Sequence, residues 1–265
     1  MISVLQLGTI DYASGLRLQR KLVDLRKDGR IGDVLLLLEH LPVITLGRNA
    51  KAANVVGSAE LLAQRGVERF DCDRGGDVTF HGPGQLVGYP IFDLHGRPAQ
   101  DGRRKTLGVI EYVRRLEEVL IRTCADFGLP CQRVSGLTGV WTSREGSGPS
   151  PEPAKIAAIG VHISRGVTSH GFALNVNTDL TFFDLIIPCG ITNRPVTSME
   201  REMGRAVPME DVAQSIARNF GKVFHSQVLW LETLEALWDE KIGVPARPPA
   251  ELRHLHDQED DMYWA

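Results

Sequence analysis

The chain has 265 residues, of which 43% are hydrophobic and 24% are charged. This composition supplies the apolar side chains of a large core, and it excludes the collagen, coiled-coil and disordered classes. The formal net charge is −3, from 30 basic and 33 acidic residues, so no dominant positive field favours nucleic acid as a partner.

The sequence also lacks the signals of membrane insertion and secretion. Its longest purely apolar run, at 34–38, is far shorter than a membrane span of about 20 residues. The first ten residues show no basic patch followed by a long apolar region. We therefore expect a cytoplasmic protein that does not bind a membrane. The four cysteines form no C-x-x-C pair, so we expect free thiols and no metal site.

Hydrophobic periodicity predicts short strands and helices along the chain. In chain order these are a strand at 1–7, a helix at 12–26, strands at 34–38 and 42–46, a short helix between Ser58 and Gly66, an extended run at 67–71, a long helix at 105–127, strands at 132–134, 138–141, 155–164 and 168–177, and helices at 208–224 and 230–240. Strands and helices do not alternate strictly, which predicts an α+β fold with a mixed sheet flanked by helices.

Two segments interrupt this pattern. The stretch 144–153, REGSGPSPEP, is rich in Gly, Ser and Pro and predicts a mobile loop. Beyond residue 224 the chain carries the last helix and then an acidic end, HDQEDDMYWA, without periodicity. We predict one main domain at 1–224 and a C-terminal helix with an acidic extension at 225–265.

A glycine-rich segment, Arg74 to Tyr89, is the densest candidate for ligand contact. Its sequence is RGGDVTFHGPGQLVGY, with five glycines among sixteen residues. Glycine lets backbone N–H groups approach a ligand closely, and Arg74 and His81 add polar contacts. The alternative is an irregular turn region in which His81 is a structural histidine.

Lys155 begins a strand-like run in which it shares one face with Ala157, Ile159 and Val161. Desolvation at the end of an apolar face would favour the neutral amine, and a solvated lysine guarding a strand end is the alternative. The runs before and after Arg165 and Gly166 predict a β-hairpin. A hairpin centred near Gly166 would place Lys155 opposite about Asn177.

Cys189 lies between Pro188 and Gly190 at the end of an apolar run. A Pro and Gly turn would present the thiol as a nucleophile, whereas a buried packing role is the alternative. The hairpin makes a pairing of Cys189 with Lys155 sterically reasonable.

These segments resemble the lipoyl(octanoyl) transferases. The family pattern R-G-G-x-x-T-aromatic-H-x-x-G-Q-x-apolar-x-Y is met from Arg74 to Tyr89, K-I-A-A-I-G from Lys155 to Gly160, H-G-F-A-L-N from His170 to Asn175, and P-C-G-I from Pro188 to Ile191. The resemblance covers roughly Ser3 to Phe224. It departs from the family outline at the 144–153 insertion and in the C-terminal extension, and neither removes a motif residue.

The resemblance implies a fold related to lipoate and biotin protein ligases, with residues 1–224 as the catalytic domain. It implies that Cys189 forms an acyl thioester and that Lys155 lowers the pKa of that thiol and serves as general acid and base. By the same matching, substrate contacts fall on Arg74, Gly75, Gly76, Asp77, Val78, Thr79, Phe80, His81, Ala158, Ile159, Gly160, Gly171, Phe172 and Ala173. Phe80, Ile159 and Phe172 are then expected as walls of an apolar acyl slot.

The implied reaction moves an octanoyl group from octanoyl-acyl carrier protein to a lysine of lipoyl domains in 2-oxoacid dehydrogenase complexes and of the glycine cleavage H protein. No metal or nucleotide cofactor is implied, because a thioester is already activated and the donor carries its own phosphopantetheine. Two alternatives remain: an ATP-dependent lipoate protein ligase, which has no use for a thiolate, and a non-catalytic module that binds acyl carrier protein or lipoyl domains.

Overall fold

The architecture is a large mixed β-sheet with helices on both faces and a small second sheet beside it. The computed structural model describes residues 1–95, 106–143, 153–187 and 194–238. The strands are β1 (Ile2–Ile10), β2 (Asp33–His40), β3 (Val43–Leu46), β4 (Glu68–Asp71), β5 (Val78–His81), β6 (Gln85–Ile91), β7 (Cys131–Val134), β8 (Leu137–Thr142), β9 (Lys155–Ser164), β10 (Val167–Asn175) and β11 (Val228–Trp230). The helices are α1 (Tyr12–Lys27), α2 (Ala59–Gln64), α3 (Val109–Asp126), α4 (Met199–Met203) and α5 (Met209–Val223).

The large sheet has the strand order β11-β1-β2-β6-β10-β9-β8-β7, and the small sheet has the order β4-β3-β5. In the large sheet, β1 pairs in parallel with β2 and β11, whereas the other neighbours are antiparallel. This confirms the predicted α+β class. None of the helices in the described ranges has the length and apolar character that crossing a membrane requires.

Local sequence explains where the main helices begin. The side chain of Asp11 accepts a hydrogen bond from the N–H of Ser14 and caps α1, and Ser58 caps α2 in the same way through Leu61. Helices α3 and α5 bury their apolar stripes on one face of the large sheet, and α1 covers the other face. Cys124 lies on the buried face of α3 and packs in the core, as its helical spacing predicts.

One prediction about local structure was wrong, and one was right to within a residue. The predicted helix at 230–240 begins inside strand β11, whose three residues pair with Ile2–Val4 at the sheet edge. Within the described residues only a short 3-10 turn, Glu235–Trp238, follows. The hairpin itself is present, and its register, with Ile163 opposite Thr168, is within one residue of the predicted one.

The glycine-rich segment contains two strands, β5 and β6, that its composition did not predict. Gly88 lies beneath the ring of Phe172, where a Cβ atom would be 2.1 Å from the ring. Glycine here marks close packing within a sheet rather than a loop. The predicted loop at 144–153, apart from Pro153, and the predicted extension beyond residue 238 lie outside the described residues.

The contact between β10 and β6 yields a stability prediction. A Cβ atom on Gly171 would lie 2.1 Å from the backbone oxygen of Gly88, so Gly171→Ala requires the two strands to separate. We expect Gly171→Ala to lower the free energy of unfolding by about 2 kcal/mol, measured by urea denaturation.

Gly32→Ala is the matched control, because a Cβ atom there would have nothing within 4 Å. Its free energy of unfolding should stay within about 0.5 kcal/mol of the wild type. Equal stability of the two variants would contradict the close approach of β10 to β6.

Candidate active site

A slot of about 470 Å³, partly open to solvent, runs along the β9–β10 hairpin. It is bounded by the strands of the hairpin, by the residues that precede and form β5, and by the start of α1. Its lining residues are Tyr12, Arg74, Gly75, Gly76, Thr79, His81, Val87, Tyr89, Ala158, Ile159, Gly160, His170, Gly171, Phe172 and Ala173.

A second space of about 310 Å³, which we call the lysine cavity, contains Lys155. Its other lining residues are Thr79, Gln85, Ala157, Ala158, Ala173, Asn175, Phe183 and Val196. Thr79, Ala158 and Ala173 line both spaces. The slot and the lysine cavity therefore meet at these three residues.

The glycine-rich loop is held against β9 by backbone contacts. The N–H of Gly75 donates to the oxygen of Val161 at 3.0 Å, and a Cβ atom on Gly160 would lie 2.7 Å from the oxygen of Gly75. The guanidinium of Arg74 is buried and donates to the backbone oxygen of Thr45 at 2.7 Å and to its hydroxyl at 2.9 and 3.1 Å. Arg74 thus clamps the loop to the small sheet while it lines the slot.

Eleven of the fourteen residues predicted to contact substrate line the slot, and Asp77, Val78 and Phe80 do not. Because side chains alternate along β5, Thr79 and His81 face the slot while Val78 and Phe80 enter the small-sheet core. Phe80 stacks on Phe182 with ring centroids 4.6 Å apart. It therefore does not form a wall of the slot, contrary to the expectation from the sequence.

Asp77 has a local structural role instead. Its carboxylate accepts hydrogen bonds from the N–H of Lys51 at 3.1 Å and from the side-chain amide of Asn54. These bonds order the chain between β3 and α2.

Lys155 is buried, with 8% of its surface exposed, so the alternative of a solvated strand-end lysine is wrong. Its Nζ lies 5.3 Å from the ring centroid of Trp141. Space for the side chain exists because residue 139 is glycine: a Cβ atom there would be 2.9 Å from Cε of Lys155.

The backbone of Lys155 anchors the chain that follows residues 188–193. Its N–H donates to the oxygen of Pro195 at 2.8 Å, and its oxygen accepts from the N–H of Thr197 at 2.9 Å. On the other side of that segment, the N–H of Ile187 donates to the oxygen of Asn54 at 2.7 Å. Cys189 itself lies outside the described residues.

His81 is neutral and has a defined tautomer. The side-chain amide of Gln85 donates to Phe80 at 3.2 Å and to Asn175 at 2.9 Å, so its oxygen must accept the bond from Nδ1 of His81 at 2.7 Å. Nε2 of His81 is then an unprotonated acceptor. Burial lowers the pKa of His81 to about 3.

His40 and Tyr89 form a second buried pair. Nδ1 of His40 donates to the backbone oxygen of Ile10 at 3.0 Å, so its Nε2 accepts the hydroxyl proton of Tyr89 at 2.6 Å. Burial lowers the pKa of His40 to about 4 and raises the pKa of Tyr89. The oxygen of Tyr89 can then only accept a further hydrogen bond.

His170 lines the slot and has a left-handed backbone conformation, with φ 52°. Its N–H donates to the side-chain oxygen of Gln19 at 2.7 Å, and its Nε2 donates to Asp73 at 2.8 Å. The hydrogen bond from His170 holds the pKa of the Asp73 carboxyl well below its usual range.

Four slot residues were not among the predicted contacts: Tyr12, Val87, Tyr89 and His170. Val87, Tyr89 and His170 lie within the quoted motifs, which could have pointed to them. Tyr12 belongs to α1, far earlier in the chain, and carries no local signal of a site.

Comparison with known proteins identifies the family. Residues 11–221 match the family model of the lipoyl protein ligase A/B catalytic domain. A Koribacter versatilis protein named octanoyltransferase is 62% identical over 263 residues, which cover 99% of each chain. An octanoyltransferase from Acidobacterium capsulatum is 63% identical over 88% of this chain and 94% of that protein. This chain belongs to the octanoyltransferase family.

Solved structures of lower sequence identity share its fold. A bipartite lipoate protein ligase from Thermoplasma acidophilum matches with a TM-score of 0.67 at 16% identity, over 89% of this chain and 88% of that chain. A lipoate-protein ligase A bound with ATP matches with a TM-score of 0.66 at 15% identity, over 89% and 91% of the two chains. The octanoyltransferase family and these ligases thus use one α+β architecture.

The buried neutral histidines predict a pH dependence of stability. An unfolded histidine titrates near 6.5, and the folded state keeps His40 neutral down to about pH 4. Between these values the unfolded state binds more protons, so stability is complete above about pH 6.5 and falls as the pH decreases. The expected loss from His40 is about 1.4 kcal/mol per pH unit.

His40→Gln tests this expectation, because glutamine retains an acceptor for Tyr89 and cannot be protonated. The free energy of unfolding should fall less steeply between pH 6.5 and 5 in the variant than in the wild type, measured by urea denaturation at each pH. Parallel curves for the two proteins would show that His40 is not held neutral.

Proposed function

We propose that this protein transfers an octanoyl group from octanoyl-acyl carrier protein to a lysine of lipoyl domains through a thioester on Cys189. The observation that carries the proposal is the junction of the slot with the lysine cavity. An acyl chain in the slot would have its reacting end beside the buried amine of Lys155. The kinship with proteins named octanoyltransferase supports the same reaction.

The slot suits an acyl chain because it is narrow and lined mostly by carbon. Ala158, Ile159, Gly160, Phe172 and Ala173 all contribute to its wall. Each buried methylene contributes about 0.8 kcal/mol, so an octanoyl chain gains several kcal/mol of binding free energy.

The reaction we propose has two acyl transfers. The thiolate of Cys189 attacks the donor thioester carbonyl, and the phosphopantetheine sulfur leaves and takes a proton from the ammonium of Lys155. The acceptor lysine amine then attacks the new thioester, gives its proton to the amine of Lys155, and the sulfur of Cys189 leaves as the amide forms. The amine of Lys155 thus supplies a proton in the first transfer and takes one up in the second.

Chain anchoring, backbone N–H groups and the charge of Lys155 would each act on Cys189. The chain on either side of 188–193 is anchored at Asn54 and at Lys155, which limits where the cysteine can reach. Backbone N–H groups of the glycine-rich stretches are candidates for stabilising the tetrahedral oxyanion. A nearby ammonium would lower the pKa of the Cys189 thiol and favour the thiolate.

The partners and cofactor needs follow from this chemistry. A donor thioester is already activated, so the reaction needs neither nucleotide nor metal. The acceptors we propose are lipoyl domains of 2-oxoacid dehydrogenase complexes and of the glycine cleavage H protein. The bipartite ligase of Thermoplasma acidophilum, which shares this fold, acts in a lipoylation system with its own E2 lipoyl domain, in line with such an acceptor.

The alternatives make different predictions. An ATP-dependent ligase would consume ATP with free octanoate and would keep its turnover after Cys189→Ala. A binding module would associate with acyl carrier protein without transfer. The high identity to octanoyltransferases favours the transferase over both.

An acyl-enzyme experiment tests the proposal. The protein is incubated with octanoyl-acyl carrier protein in the absence of acceptor, and its intact mass is measured before and after neutral hydroxylamine. We expect a hydroxylamine-labile octanoyl adduct in the wild type and none in Cys189→Ala.

Cys131→Ser is the matched control, since Cys131 is a half-buried cysteine on β7. This variant should form the adduct as the wild type does. An adduct that persists in Cys189→Ala, or that never forms in the wild type, would contradict the thioester mechanism.

A further inference from the structure

The lining of the slot includes a tyrosine whose hydroxyl forms no hydrogen bond within the described residues. The hydroxyl of Tyr12 is buried, with 2% of the residue exposed, and it makes no hydrogen bond within the described part of the chain. The neighbouring Cys72 thiol donates instead to the backbone oxygen of Leu46 at 3.4 Å, and its sulfur is a weak acceptor. With only this weak acceptor beside it, the buried phenol calls for a water molecule or a ligand group.

Two acceptors lie on the same slot as this donor. The ring of Tyr12 stacks on that of His81 with centroids 6.3 Å apart, and Nε2 of His81 is unprotonated because Nδ1 donates to Gln85. The hydroxyl of Tyr89 already donates its hydrogen bond to Nε2 of His40, so its oxygen can only accept another. Tyr12, His81 and Tyr89 all line the slot, and we call them the polar floor.

None of the three residues of the polar floor lines the lysine cavity. Along the hairpin, Ala157 lines the lysine cavity and His170, which pairs with Val161, lines the slot, and the ring of Tyr89 lies 6.5 Å from that of His170. Four residue steps along a strand span about 13 Å. This length is comparable with an extended octanoyl chain whose carbonyl carbon is beside the lysine.

We propose that the polar floor sets the upper limit of acyl chain length, and that it does so by hydrogen bonding as well as by shape. This inference rests on the proposed function. A chain that stops above the floor leaves water on the Tyr12 hydroxyl, on Nε2 of His81 and on the Tyr89 oxygen. A longer chain displaces that water and buries the same groups against methylenes.

The penalty for the longer chain is that of unpaired buried polar groups. One such group costs an amount that corresponds to roughly a tenfold to hundredfold loss in kcat/KM. A purely steric limit would depend on the ring of Tyr12 and not on its oxygen. Tyr12→Phe separates the two explanations, because it keeps the ring and removes the oxygen.

The experiment compares kcat/KM for octanoyl- and decanoyl-acyl carrier protein in full-length wild type and Tyr12→Phe. We expect the wild type to favour octanoyl, and the ratio of decanoyl to octanoyl to rise about tenfold in the variant. Tyr112→Phe is the control, because Tyr112 is a fully buried tyrosine of helix α3 that does not line the slot. Its ratio should equal that of the wild type.

The outcomes separate this inference from the function it rests on. A wild type that transfers octanoyl while Tyr12→Phe keeps the wild-type ratio would overturn the polar floor and leave the proposed function intact. A wild type that transfers no acyl group would instead refute the proposed function. If Tyr12→Phe does not fold, Tyr89→Phe removes another oxygen of the floor, and an unchanged ratio there would equally overturn the inference.

Discussion

The backbone hydrogen bonds of Lys155 are the constraint that organises the site. They tie the chain that returns from residues 188–193 to the start of β9, through Pro195 and Thr197. These bonds use only the main chain of Lys155 and do not depend on its side chain. The side chain enters the lysine cavity, where its Nζ lies near the ring of Trp141. The strand that carries the lysine is thus also the strand to which Pro195 and Thr197 are bonded.

The same hairpin then provides the slot, and glycine makes this possible. Gly160 lets the loop at Gly75 lie directly on β9, and Gly171 lets β10 approach β6. Burial keeps neutral both His81, which lines the slot, and His40, which is bonded to the slot residue Tyr89, because it lowers the pKa of each. His81 therefore offers a bound chain a hydrogen-bonding group without a charge.

The sequence predicted the elements that periodicity and capping define locally, such as the helix capped by Asp11 and the hairpin at Gly166. It did not predict β5 and β6, because their glycines are required by neighbours such as Phe172 that lie far along the chain. The family motifs predicted most of the residues that line the slot. They could not predict Tyr12, whose role depends on how α1 packs across the hairpin.

The most direct test of the Lys155 mechanism is the pH dependence of Cys189 alkylation by iodoacetamide, followed by peptide mass spectrometry in wild type and Lys155→Met. We predict a wild-type midpoint at least about one pH unit below the ordinary thiol value near 8.5, and a return towards that value in the variant. Superimposable profiles would mean that the amine does not act on the thiol, and the mechanism built on Lys155 would be wrong.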